Sequence, residues 1–188
     1  MSQSVWSLLS GFFFFVAFAP YIWAMVKGEL KAPKSSWMIW GMVDLIVLVA
    51  MLKQGVLNGQ MVGAVLGAWL VTGLAFKYGE TGWKFLDKVC LVLAVVGIVL
   101  WNVLDSAFLG MMISLGVIFI GAIPAFQRAW VAPKTESKLA WTLFWISCVF
   151  ALLAVPAWTI EHAAQPIVFF VIETVMMVLI FIPRRPNF

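Results

Sequence analysis

Charge is scarce in this chain. Charged residues make up 11% of its 188 positions, while hydrophobic residues make up 64%. A water-soluble domain carries about a quarter charged and about half apolar residues. That class is therefore excluded, and a mean hydropathy of +1.07 agrees. Histidine occurs once, as His162, and cysteine twice, as Cys90 and Cys148. A single histidine builds no histidine-rich metal site. Both thiols fall inside apolar runs, where cysteine packs as a small apolar side chain. No metal, no cofactor and no catalytic set is expected, and the chain does not read as an enzyme. The net charge of +4 does not point to nucleic acid, because the basic residues sit in short loops and build no basic helix face. A secretory leader is also not expected. Ala17-Phe18-Ala19 resembles a small-residue cleavage site, but Met1 to Ser10 holds no Lys or Arg and the apolar run continues past Pro20 to Val26.

What the chain has is long apolar runs. A membrane span needs about 20 mainly apolar residues. Seven runs qualify: Leu8–Val26, Ser36–Leu52, Gln60–Phe76, Phe85–Leu104, Ala107–Phe126, Leu139–Trp158 and Pro166–Ile182. A very short turn at Asp105 and Ser106 forces the fourth and fifth into an antiparallel hairpin. Eleven of the twelve Lys and Arg residues fall on one side of the resulting alternation. They are Lys27, Lys31 and Lys34, then Lys77, Lys84 and Lys88, then Arg128, Lys134 and Lys138, and finally Arg184 and Arg185; only Lys53 lies opposite. Cytoplasmic loops are enriched in Lys and Arg. The expectation is a multi-pass protein of the cell (inner or plasma) membrane, with the amino terminus outside and the carboxyl terminus in the cytoplasm. Trp6, Trp101 and Trp158 fall at outer helix ends, and Trp23, Trp37, Trp83, Trp130 and Trp141 at inner ends, which reads as an aromatic belt.

A shift of 104 residues lays the chain on itself: Pro20 meets Pro124, Lys34 meets Lys138 and Trp37 meets Trp141. Ala-Pro-Lys recurs at 32–34 and 132–134. The repeated order is a proline near a helix end, a basic loop, then a tryptophan at the start of the next helix. The unit is three helices. Two triplets joined directly would be inverted, and one linking helix restores their orientation. The expected fold is thus an all-α integral membrane protein of seven transmembrane helices, with two parallel three-helix repeats, 1–79 and 106–188, joined by a linker helix within 80–105. Parallel repeats about an axis along the membrane normal are a transporter architecture with its site near midplane. This arrangement, with its paired helix-end prolines, resembles the SWEET and PQ-loop transporter superfamily over nearly the whole chain. The Pro-Gln dipeptide of that superfamily stands here as Pro20-Tyr21 and Pro124-Ala125. Vitamin transporters of the PnuC type share the broad topology. The resemblance implies that the second and third helices of each triplet line a central pocket.

Asp44 lies in the middle of the second run, without a basic residue within two helical turns. At about 1.5 Å per residue, it sits near the centre of a hydrocarbon core about 30 Å thick. Glu173, counted from the other end of the seventh run, reaches the same depth. The 104-residue shift relates Asp44 to Cys148 and Trp69 to Glu173 if no gap intervenes. An ionised acid there costs about 2.5–3.5 kcal/mol on insertion scales, and no Lys or Arg reaches it. Each acid must be protonated, solvated or met by a cationic ligand, or else bonded to a neighbouring helix as structural glue. Trp37, Trp40 and Asp44 share one helix face, as do Trp141, Trp145 and Cys148. Such faces suit a ring-shaped or cationic solute, and they also suit helix packing. Asp44, Glu173, Trp69, Cys148, Trp40 and Trp145 are the expected substrate-binding or proton-coupling residues, with Pro20 and Pro124 as hinges.

The leading expectation is a small-solute transporter with alternating access about this pocket. The alternative is a non-transporting receptor or sensor using the same pocket. Two acids without the surrounding motifs do not suffice for aspartyl-protease chemistry, and the seventh run has no lysine for a retinal Schiff base. Membrane lipid and a small solute are the expected partners, and self-association into a homo-oligomer is left open.

Overall fold

The computed structural model describes residues 2–32, 34–79, 82 and 85–182. The side chains of Asp87, Cys90, Trp101, Asn102 and Pro124, among other helical positions, lie outside that description, as do Trp83, Lys84, Arg184 and Arg185. Seven α-helices and no strand occur among the described residues. They are α1 (Gln3–Val26), α2 (Lys34–Gln54), α3 (Gly59–Tyr78), α4 (Phe85–Leu104), α5 (Ala107–Val131), α6 (Lys138–Leu153) and α7 (Ile160–Phe181), with a short 3-10 turn at Pro133–Thr135 before α6. Within a bilayer the backbone has no water to bond, so a spanning helix must satisfy itself. By length and composition, α1, α2, α3, α5 and α7 can cross a membrane.

The helix ends follow local chemistry. The side chains of Asn58, Ser106 and Ser137 accept from Met61 N, Leu109 N and Ala140 N and so cap α3, α5 and α6. Asp105 adopts a left-handed φ of 45° in the α4–α5 turn, a conformation that Asp tolerates better than most residues. One expected span is corrected. α6 stops at Leu153 and is 16 residues long, rather than continuing to Trp158. Pro156 cannot donate to a helical bond and pushes the residue before it out of the helical region. α1 runs unbroken through Pro20.

Six helices close into a ring. α1 packs on α3, α3 on α2, α2 on α5, α5 on α7, α7 on α6, and α6 back on α1, while α4 lies outside against α5 and α2. The α1–α3 seam is built from small residues. A Cβ on Gly11 would stand 2.5 Å from Gly59 O, and one on Gly63 would stand 2.6 Å from Gly11 O. Small residues let membrane helices approach backbone to backbone. Leu8, Phe12, Trp23, Leu66, Phe76 and Leu139 point outward and are exposed. An apolar exterior of this extent marks a lipid- or partner-facing surface. The interior holds the opposite chemistry: Ser10, Asp44, Gln60, Ser147, Gln165 and Glu173 are all buried.

Candidate functional site

A cavity of about 70 Å³ lies inside the ring and takes wall from α1, α2, α3, α5, α6 and α7. α2 presents Trp37, Trp40 and Asp44 to it, spaced i, i+3 and i+7 along one face. α1 adds Phe14 and Phe18, α6 adds Trp141 and Phe144, and α7 adds Phe169 and Glu173. Asp44 and Glu173 are each 6% exposed. No salt bridge joins either acid to a basic residue among the described residues.

The rings hold one another. Phe144 stands 4.7 Å from Phe14 and 4.9 Å from Phe18, centroid to centroid, and Trp37 meets Trp40 edge-on at 5.1 Å. Such tilted and edge-to-face pairs are the preferred aromatic geometry. Two of the three indoles are also tethered by polar bonds. Trp37 Nε1 donates to the Tyr21 hydroxyl at 3.0 Å, and Trp141 Nε1 donates to Glu136 Oε2 at 3.0 Å. The other Glu136 oxygen meets Arg128 Nε at 3.7 Å. Among the described residues Trp40 Nε1 has no partner, and neither has Glu173 Oε2; both atoms are buried. The Trp40 nitrogen lies over Gly121, where a Cβ would come within 2.7 Å.

A polar layer closes one end of the cavity. Ser10 Oγ donates to Ser147 O at 2.9 Å, and Ser147 Oγ donates to Ser10 O at 2.7 Å. Gln60 Nε2 donates to Ser147 Oγ at 3.2 Å and to Cys148 Sγ at 3.1 Å. Gln165 Nε2 donates to Gln60 Oε1 at 3.0 Å, and Asn58 Nδ2 donates to Gln165 Oε1 at 2.7 Å. The layer ties α1, α3, α6 and α7 together. Beyond it lies a cleft of about 440 Å³ lined by Ser7, Asn58, Val155, Pro156 and His162, among others. Reading along α1, α6 and α7, the order is the same each time: cleft, polar layer, then aromatic cavity with its acids.

Asp44, Glu173 and Trp40 are therefore brought to one cavity, and three other expected residues are not. Trp69 is 42% exposed, and its ring lies against Gly41 of α2. Its neighbour Ala68 faces the cavity instead, because one residue is about 100° around a helix. Trp145 turns to the α6–α7 seam, where its Nε1 donates to Thr174 Oγ1 at 3.0 Å, and Phe144 holds the place toward the cavity. Cys148 is fully buried but belongs to the polar layer. Trp37 and Trp141, read from sequence as belt residues, are buried cavity walls. Pro20 is half-buried within α1. Pro124 falls within α5, with its side chain outside the description. Sequence reasoning missed the phenylalanines of the wall, the tethers Tyr21 and Glu136, and the glutamine pair. The one available signal was that Gln60 opens one apolar run and Gln165 immediately precedes another.

Comparison with known proteins gives no match. No family model fits the chain, and no curated relative and no solved structure is similar to it. The function rests on the site itself.

Proposed function

We propose that this chain is a small-solute transporter of the SWEET and PQ-loop type, in which two parallel three-helix repeats enclose the binding cavity. The observation that carries the reading is that Asp44 of α2 and Glu173 of α7 line one cavity at the centre of a closed ring. Buried carboxyls with no cation beside them are costly in a membrane protein and mark solute or ion pathways.

The ring supports the repeat. Exchanging α1, α2 and α3 with α5, α6 and α7 leaves every pairing in the ring unchanged. Under the 104-residue shift, Phe14 and Ile118, Phe18 and Ala122, Trp37 and Trp141, and Trp40 and Phe144 all become equivalent pairs of cavity residues. The third helices match better one residue further on. A shift of 105 relates the buried residues Gln60 to Gln165, Ala64 to Phe169, Val71 to Met176 and Ala75 to Ile180. That register makes Ala68, rather than Trp69, the counterpart of Glu173. Both face the cavity. In this reading the polar layer is the closed gate toward the cleft, the cleft is the outer vestibule, and Pro20 and Pro124 are hinges. The basic loops face the cytoplasm.

Flux into proteoliposomes of the full chain tests the proposal, using radiolabelled amines, amino acids, sugars and vitamins with and without a pH gradient. At least one solute is expected to cross in a saturable way, and Asp44→Asn and Glu173→Gln are expected to reduce that flux by about tenfold or more, the scale of a lost charge-assisted bond. Unchanged flux in both variants would sink the site assignment. A second reading has an observation of its own. The polar layer is continuously bonded, which suits a cavity that holds a ligand without passing it. Binding of a solute that never crosses would establish that receptor reading.

A further inference from the structure

The walls of the cavity specify an occupant, and the argument rests on the cavity being the binding site proposed above. Two residues of its wall each carry a buried atom without a partner among the described residues: an acceptor, Glu173 Oε2, and a donor, Trp40 Nε1, which lies over Gly121. Buried polar atoms of native proteins nearly always have partners, and an exception calls for a ligand, a water or a function. Here the two exceptions belong to residues that line one cavity. The acceptor needs an N–H or O–H, and the donor needs a lone pair. A second feature is charge. The described lining holds two carboxyls and no Lys, Arg or His. A third is the aromatic wall. The negative π faces of Trp and Phe attract cations at close range, most strongly where water is excluded.

These features exclude as well as select. An anion meets two acids. A sugar brings several hydroxyls, each of which requires a partner when buried. The indole donors of Trp37 and Trp141 are already committed to Tyr21 and Glu136, and the other side chains of the described wall are hydrocarbon or thioether, apart from the two acids and Trp40. A divalent metal ion requires about six or more oxygen ligands, which two carboxyls among aromatic rings do not provide. Size narrows the choice further. About 70 Å³ is several times the roughly 10–15 Å³ that admits one water, yet it suits a molecule of only a few heavy atoms.

We infer that the cavity binds a small protonated amine that carries one hydrogen-bond acceptor, an amino alcohol being the simplest example. The ammonium group donates to Glu173 and faces Asp44 and the tryptophan rings. The acceptor oxygen receives the Trp40 N–H. Trp40 is thus the specificity residue, because it tells an amino alcohol from a plain alkylamine.

The test is binding to the purified full chain in detergent, followed by tryptophan fluorescence and by thermal shift. The probes are ethanolamine, ethylamine, ethylene glycol and glycolate. Ethanolamine is expected to bind about three- to tenfold more tightly than ethylamine, the scale of one neutral hydrogen bond, and glycol and glycolate are expected not to bind. In Trp40→Phe, which keeps an aromatic ring, ethanolamine affinity should fall about three- to tenfold further than ethylamine affinity, bringing the two amines level. In Glu173→Gln both amines should weaken by about tenfold or more. Unliganded melting temperatures show that each variant is folded. Glycol binding as well as ethanolamine, equal losses for both amines in Trp40→Phe, or no amine binding to folded protein would each overturn the inference. Flux separates it from the transport reading. If amines bind with this selectivity and never cross, transport fails and the amine site stands. If a neutral solute crosses and no amine binds, transport stands and the amine site fails.

Discussion

The polar layer offers a test that needs no ligand. Gln60→Leu keeps approximate size and removes the amide at the centre of the layer. Gln60 donates to Ser147 Oγ and Cys148 Sγ and accepts from Gln165. Hydrogen bonds between membrane helices average about 0.6 kcal/mol each, so three of them account for roughly 2 kcal/mol. The substitution also strands the Gln165 amide nitrogen in a buried site, and an unsatisfied buried group costs about 1–3 kcal/mol. The expected loss is about 3–5 kcal/mol on the same grounds. Gln165→Leu removes the bond from Asn58 and strands the Gln60 carbonyl oxygen, and it should cost a similar amount. In the double variant neither glutamine is left to be stranded. Asn58 lies at the cleft, where water can replace its partner, and Ser147 keeps its bond to Ser10. The double variant should therefore lose less than the sum of the singles by about 1 kcal/mol or more, as contacting residues do. Equilibrium unfolding in mixed detergent micelles, run on the four proteins of the cycle, reads this directly. Strict additivity would refute the direct Gln60–Gln165 bond, and with it the layer that separates cavity from cleft.

Other outcomes follow from single positions. Gly121→Ala places a Cβ 2.7 Å from Trp40 Nε1. Overpacking of about 1–3 kcal/mol should be partly offset by the helix propensity gain of about 1 kcal/mol, leaving a net loss of about 0–2 kcal/mol in thermal unfolding, while the Trp40 emission shifts as the ring moves. Gly63→Leu drives a side chain into the α1 backbone at Gly11 O and should abolish stable folding in detergent. Val62→Ala, one position away on the exposed face of α3, should leave stability intact within about 0.5 kcal/mol. Glu136→Ala removes the acceptor of Trp141 and should cost about 1–3 kcal/mol. Arg128→Ala should cost about 1 kcal/mol or less, since its guanidinium is partly exposed; equal losses would show that the ion pair, rather than the indole bond, matters at Glu136. Pro20→Ala restores an N–H toward the Val16 carbonyl. It should raise stability by about 1–3 kcal/mol and slow flux if Pro20 is a hinge; faster flux in a more stable protein would refute the hinge.

The apolar runs were legible because membrane insertion is a local property of composition and length, and because helices satisfy their own backbone. The α4–α5 turn was legible from Asp105 and Ser106 for the same local reason. The carboxyl-terminal end of α6 was not, although its signal, Pro156, is in the sequence; the apolar residues beyond it mask the stop.

Rotation about each helix axis is another matter. Trp69 and Ala68 differ by one residue in sequence and by about 100° in direction, and hydropathy cannot choose between them when the lipid and the core are both apolar. For that reason Phe144 takes the place at the cavity that Trp145 was expected to fill, and Trp37 and Trp141 moved from the belt to the cavity. The phenylalanines could not have been singled out, because 16 of them occur in the chain and those facing lipid read the same as those facing the cavity. By itself, then, the sequence determined that the chain is helical and membrane-compatible. Only the packing of six helices into a ring decided which side chains meet, because meeting depends on azimuth and on neighbours far apart in the chain. The same packing left Trp40 Nε1 and Glu173 Oε2, atoms of two cavity-lining residues, without partners among the described residues.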